Sequence, residues 1–341
     1  MERQAMSNWG VIGHDWAIEQ LQTAVTHGRI GHAYLITGPA QVGRTTLARA
    51  FAQALNCTND YLNNRPCGVC RSCKLIANGR HPDLFTVTPE ISARGRATIK
   101  IDQIRQLQKD LNLAAIEGRY KIAILENFET ANPSAANAFL KTLEEPPPNV
   151  VLILTASEAD AMLPTINSRC RTVSLRPVST PLIAHALQQD GLTPPQQAQE
   201  IAHVANGRIG WAMQAAKDPK IWEAHQAYLT ELSDILAENR VGRFAIAEKL
   251  AKKPEELHGR LQAWSGWWRD LTMIAWGQLP QKHIINLSHR AQLAELAEKW
   301  TQEKLLTSLK QTDQAMWQLN RNANVRLVLE CLFLQYPYAT Q

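Results

Sequence analysis

Five short β-rich runs, Ala33–Thr37, Leu84–Val87, Lys121–Leu125, Val150–Thr155 and Arg171–Leu175, alternate with helical patterns through the first half of this 341-residue chain. Such alternation predicts five buried strands in a parallel α/β sheet. The helix after the first strand places Leu47, Ala48, Phe51, Ala52 and Leu55 on one face, the spacing of a core-facing helix. Asn132-Pro133 opens another, as N-cap and first helical residue, with Ala135, Ala138, Phe139, Thr142 and Leu143 on one stripe. Pro146-Pro147-Pro148 stops it, because proline cannot donate and clashes with a continuing helix.

From about Pro177 the β signal ends and the rest reads as helical, so the length divides into three expected domains. They are an α/β domain over 1–176, a small helical domain over 177–216 punctuated by Pro194-Pro195 and Gly207, and a longer helical domain over 217–341. Eight of the ten tryptophans fall at or after Trp211. At helical spacing among Leu271, Ile274 and Ala275, Trp264, Trp267 and Trp268 read as bundle core or interface rather than as base-stacking platforms.

The balance of 36 Lys and Arg against 31 Asp and Glu gives a mild +5, without the dense basic blocks of a dedicated nucleic-acid binder. It permits a weak contact with DNA. Met1-Glu2-Arg3-Gln4-Ala5 lacks a basic segment followed by an apolar run, and no stretch of eighteen uncharged apolar residues occurs, so a cytoplasmic location is expected. Thiols stay reduced there, so six cysteines, four of them clustered, point to metal rather than disulfides.

Gly38-Pro39-Ala40-Gln41-Val42-Gly43-Arg44-Thr45-Thr46 follows a strand and opens a helix, the context in which backbone N–H groups wrap phosphates at a positive helix end. Gly38, Gly43, Arg44, Thr45 and Thr46 are the candidate nucleotide-binding residues. Arg44 stands where a lysine is expected, and a planar guanidinium does not replace a compact ammonium. Efficient hydrolysis is therefore not expected, and a glycine turn without ligand is the competing reading. The strand Lys121–Leu125 ends in Glu126 and Asn127. Glu126 has the reach to hold a Mg²⁺, but the neutral amide of Asn127 cannot act as a base. A plain surface turn at Glu126 is the alternative.

Cys57, Cys67, Cys70 and Cys73 supply four soft ligands on turn-rich backbone, as a closed structural Zn²⁺ site requires. An iron–sulfur cluster is the rival, although the fourth cysteine that follows such a run in ferredoxins is missing. A closed site of four thiolates folds a small excursion from the sheet and catalyses nothing. Arg169, in Ser168-Arg169-Cys170 between the fourth and fifth strands, is either an ordinary solvated residue or a guanidinium offered to a neighbouring γ-phosphate.

These pieces together resemble the delta-prime subunits of bacterial DNA polymerase III clamp loaders, within the AAA+ ATPase superfamily. The likeness covers about residues 10 to 215. It includes His32-Ala33-Tyr34-Leu35, the cysteine knuckle, Ile101-Asp102-Gln103-Ile104-Arg105, Gly118-Arg119-Tyr120-Lys121, the run Ala136–Pro147 and Ser168-Arg169-Cys170. The resemblance implies an AAA+ five-stranded parallel sheet with a zinc knuckle, then a helical lid and an all-α collar. It implies a hetero-pentamer with tau/gamma and delta subunits that opens a sliding clamp and places it on primed DNA. Arg169 would then act in trans as an arginine finger on an adjacent subunit's ATP, and Val11, Ile12 and Gly13 would lie beside an adenine.

Besides Arg44 and Asn127, Gly210 stands where a motor of this superfamily carries a nucleotide-sensing arginine, with Arg208 two residues away. These departures favour a largely non-motor subunit, with structural Zn²⁺ and with ATP and Mg²⁺ doubtful in its own pocket. A self-sufficient tau/gamma-like motor is the alternative. A zinc-dependent nucleic-acid binder is a third, with only Arg65, Arg71, Lys74, Arg80 and His81 near the knuckle to support it. No constellation of carboxylates suited to nucleotidyl transfer is present, so polymerase chemistry is not expected of this chain.

Overall fold

A computed structural model describes residues 9–91, 97–191, 193–277, 283–321 and 323–339. Met1-Glu2-Arg3-Gln4-Ala5 lies outside them, as do the outer ends of the first and third expected domains, 1–8 and 340–341. The chain divides into two compact units. One runs to Leu182 and includes Gly207–Gly210, and the other holds Ile183–Asn206 and everything from Trp211.

In the first unit, α1 (Asp15–Thr26) precedes β1 (Ala33–Thr37), α2 (Arg44–Asn56) and α3 (Arg71–Ala77). Then come β2 (Leu84–Val87), β3 (Glu90–Ile91), β4 (Ala97–Thr98), α4 (Ile101–Asn112) and β5 (Lys121–Leu125). The unit continues through α5 (Pro133–Glu144), β6 (Val150–Ala156), α6 (Pro164–Asn167) and β7 (Arg171–Ser174). The five-stranded sheet has the order β2-β5-β6-β1-β7 and is parallel throughout.

Alternate residues of the strands feed two cores. Tyr34, Ile36, Ile122, Ile124, Val151 and Ile153 pack with Leu47, Phe51 and Leu55 of α2 on one face. Leu35, Ala123, Leu125, Leu152 and Leu154 meet Ile104 and Leu107 of α4 and Phe139 and Leu143 of α5 on the other. Helices on both faces explain why β1, β5 and β6 are buried along their whole length. The expectation of five buried strands fails at the rim: β2 and β7 each have a single neighbour, and only Val87 and Val173 in them are buried. The antiparallel pair β3–β4 was not foreseen, being two residues per strand.

Asn132 caps α5 by accepting from the Ala135 N–H at 2.7 Å, with Pro133 in the first turn, and the helix ends at Glu144 before the prolines. After β7 the described chain forms no further strand. α7 (Thr180–Gln189), α8 (Pro195–Ala205) and α9 (Ile209–Lys217) lead into α10 (Pro219–Ala237), α11 (Arg240–Ala251), α12 (Pro254–Ala275), α13 (Arg290–Lys299), α14 (Gln302–Asn320) and α15 (Val325–Gln335). Trp264, Trp267 and Trp268 are buried in this helical core with Leu271, Phe333 and Tyr336. Trp264 donates its indole N–H to the Tyr228 carbonyl at 2.8 Å. No described helix is long and apolar enough to cross a membrane.

Candidate functional site

The turn between β1 and α2 lies at the carboxyl end of the sheet, where ligands of open α/β folds bind. It needs glycine at two points. Gly38 has φ +148°, and a Cβ there would stand 2.8 Å from the Leu175 carbonyl oxygen; Gly43, with φ +114°, caps α2. The turn is braced from outside. His14, buried at 1% exposure, sets Nε2 at 2.9 Å from the Val42 carbonyl, which only accepts, so Nε2 carries the hydrogen. Burial keeps the His14 pKa below its usual value, against the Val42 contact and Asp15. The Gly210 N–H donates to the Gln41 carbonyl at 2.8 Å, and a Cβ at Gly210 would meet that oxygen at 2.9 Å. The backbone of this segment therefore occupies the space that a side chain at 210 would need.

Arg44 opens α2, and its guanidinium turns toward the tip of β5. Its NH2 donates to Asn127 Oδ1 at 2.8 Å, and NH1 stands 4.0 Å from Glu129 Oε1. Burial lowers the Arg44 pKa while Glu129 and Glu126 raise it, and the group remains a cation. Asn127 is held in the left-handed region, φ 49°, with its N–H on Thr155 Oγ1 at 2.9 Å. Glu129 Oε1 accepts from the Ser157 N–H at 2.9 Å, and Glu126 Oε1 lies 3.5 Å from Arg49 NH2. Gly38, Gly43, Arg44, Thr45, Thr46 and Glu126 are thus brought to one end of the sheet, around the loop and the tips of β5 and β6. Sequence reasoning missed His14, Glu129 and Thr155, whose roles depend on partners far along the chain and leave no local spacing to read. Val11 is buried, and a Cβ at Gly13 would stand 2.6 Å from Val178 Cγ1. Arg208 is partly buried, which lowers its pKa.

Arg169 is not part of that cluster. It follows α6, where NH1 donates to the Thr165 carbonyl at 2.9 Å and NH2 donates to Glu144 Oε1 at 2.8 Å. Its side chain is 36% exposed and that of Glu144 51%.

The four clustered cysteines converge. Cys57 ends α2, Cys70 caps α3 and Cys73 lies within it. The four sulfurs all lie within 4.8 Å of one another, and all six cysteines are free thiols. A tetrahedral Zn²⁺ with bonds near 2.3 Å spaces its sulfurs by about 3.8 Å, so the set fits the ion with little adjustment. Backbone N–H groups of Cys67, Cys70 and Cys73 each lie 3.4 Å from the sulfur of Cys57, Cys67 and Cys70 respectively, the donors that thiolate ligands need. As free thiols, Cys57 and Cys73 are pushed up by burial. At Cys70 burial is outweighed by hydrogen bonds from Thr58 and Cys73, and the thiol falls to about 6. Four thiolates around one tetrahedral ion would leave it no open coordination position.

Residues 13–179 match a family described as DNA polymerase III, delta subunit, and residues 219–336 match one described as DNA polymerase III, delta subunit, C terminal. The chain is 42% identical over 139 residues to DNA polymerase III subunit delta' of Pseudomonas aeruginosa, covering 41% of each. It is 33% identical over 204 residues to DNA polymerase III subunit tau of Escherichia coli K12, covering 58% of this chain and 31% of that one. These matches span less than half the length of either relative. Among solved structures, a gamma subunit-related protein of Thermotoga maritima aligns with a TM-score of 0.49 at 20% identity, over 92% of this chain and 97% of that one.

Proposed function

This chain belongs to the DNA polymerase III clamp-loader family, related to both delta-prime and tau/gamma subunits, and from that premise we propose that it is a delta-prime-type, largely non-motor subunit. It would join tau/gamma and delta subunits in a hetero-pentamer that loads a sliding clamp onto primed DNA. The lid (177–216) and collar (217–341) would serve assembly, and Zn²⁺ held by Cys57, Cys67, Cys70 and Cys73 would stabilise the knuckle. Arg169 would complete a neighbour's ATP site.

The observation that carries the non-motor reading is the 2.8 Å bond from Arg44 to Asn127. The cation beside the loop donates one of its hydrogen bonds to an amide of the same chain. That amide occupies the position of a general base and cannot abstract a proton from water. The two departures therefore contact each other, and the remaining carboxylates, Glu126 and Glu129, are drawn to Arg49 and to the Ser157 N–H. The motor reading keeps one supporting observation, the longer alignment with tau than with delta'. It requires the purified chain to hydrolyse ATP in a manner stimulated by clamp and DNA. Near-background turnover is expected.

The deciding experiment is ATPase of a loader reconstituted with and without this chain, and with Arg169→Ala. Arginine fingers contribute about 10³ to 10⁵ in rate at the site they serve. Arg169→Ala should leave the chain folded and remove the turnover of that one site. Unchanged turnover would eliminate the finger role.

A further inference from the structure

We propose that Glu144 is a positioning residue for Arg169, holding the guanidinium aligned before a neighbour's phosphate reaches it. The inference rests on the finger reading above and adds a second residue to that site.

Arg169 sits just beyond a four-residue helix, α6, between Ile166 and Cys170, which pack on the core, while its own side chain reaches toward solvent. A long side chain at such a place samples many rotamers unless something fixes it. Two contacts do. NH1 is held by the Thr165 carbonyl, with a longer approach to Ser168 Oγ at 3.4 Å, and NH2 is held by Glu144 Oε1 at 2.8 Å. Of the five N–H groups of a guanidinium, the Nε–H and one hydrogen of NH2 remain to be offered elsewhere.

The carboxylate is presented from a rigid base. Glu144 is the last residue of α5, whose Phe139 and Leu143 are buried in the core beneath it. Gln108 of α4 braces the same helix, donating to the Ala138 carbonyl and to Thr142 Oγ1, each at 2.9 Å. Both side chains of the bridge are well exposed, at 36% and 51%, and exposed pairs contribute little to folding stability. Orientation is the role left to it. A cation that stabilises charge developing in a transition state acts only if it is already aligned.

The test is a double-mutant cycle in the reconstituted loader, with ATPase kcat and KM measured for the parent, Glu144→Ala, Arg169→Ala and the double variant, and for Glu144→Gln. Glu144→Ala should lower kcat at the served site by about 10-fold, within what a misplaced catalytic group costs, and should move KM much less. Glu144→Gln should recover most of the loss, because its amide oxygen still accepts from NH2. In the Arg169→Ala background, Glu144→Ala should add nothing. A Glu144→Ala loader as fast as the parent while Arg169→Ala is slow would overturn the proposal and leave the finger standing. So would an equal loss in both backgrounds, which would place the effect in α5 itself. Full activity of Arg169→Ala would overturn both readings.

Discussion

Arg243 offers the sharpest test of how the helical unit is held together. It is fully buried at 0% exposure, and its acceptors are all backbone carbonyls. Nε donates to Ile235 and Glu238 at 3.0 and 3.2 Å, NH1 to Phe333 and Tyr336 at 2.6 and 2.9 Å, and NH2 to Pro337 and Leu236 at 2.7 and 3.4 Å. These oxygens belong to the ends of α10 and α15, where the last carbonyls of a helix have no partner of their own and carry partial negative charge. One guanidinium, stacked 3.9 Å from the Tyr338 ring, therefore caps two helices at once. Burial lowers its pKa and Tyr338 raises it, but it stays charged. Arg243→Met keeps much of the volume and removes every donor. Four of the bonds are 3.0 Å or shorter, and at about 1.5 kcal/mol each for a charged donor they amount to roughly 6 kcal/mol. Relief from burying a charge returns part of this, leaving a net loss of about 3–5 kcal/mol. Urea unfolding followed by tryptophan fluorescence reads this unit directly, since eight of the ten indoles lie in it. Arg243→Lys, a charge without the fork, should fall between. A Met variant within about 1 kcal/mol of the parent would refute the capping argument.

Two further outcomes are expected beyond those for Arg169 and Glu144. At Asp83, burial alone would raise the carboxyl, but N–H donors from Glu117, Ile116 and Gly118, with His81, outweigh it and hold the pKa below the usual carboxylate value. Its stabilisation is therefore complete above the unfolded value near 3.9 and is lost as pH falls through the lower folded value. Asp83→Asn should cost about 2 kcal/mol at pH 7 and flatten the decline of stability in that acid window; parallel curves for the two proteins would sink the argument. Metal analysis of the purified chain should find one zinc, and a chelator or Cys73→Ser should expose the 57–77 segment to protease. A metal-free chain with the same protection would show that the four thiols act unaided.

The sequence made β1, β5 and β6 legible because burial on both faces writes a continuous apolar run. It left the exposure of β2 and β7 unread because edge position depends on strand order, which no local pattern records. The cysteine cluster and the glycine turn that opens α2 were visible as spacings. Arg44 and Asn127 were visible only as two separate departures; their hydrogen bond joins positions 83 residues apart. Glu144 and Arg169 likewise sat in recognisable motifs without any sign that they touch. Arg243 left no signal at all, since its partners are backbone oxygens, and every residue type has one.

The place of α2 decides what a metal held by the four thiols could do. The helix begins at the phosphate loop with Arg44 and ends at Asn56, and its thirteen residues span about 20 Å. Cys57 thus stands a full helix length from Gly43, so a metal there cannot touch a phosphate at the loop. What it can reach is the other end of the sheet. Asn56 exchanges two hydrogen bonds with the Tyr120 backbone, at 2.9 and 3.0 Å, just before β5 begins, and Gln53 donates to the Cys73 carbonyl at 2.9 Å. Gly118 fits against Asn56 because any Cβ would come within 2.7 Å of its Nδ2. A metal closing the knuckle would fix the end of α2 and, through Asn56, the start of β5, whose far end carries Glu126 and Asn127. Any influence of such a metal on the Arg44–Asn127 pair would therefore be mechanical, by fixing the end of α2 and the start of β5 that lie opposite those two residues.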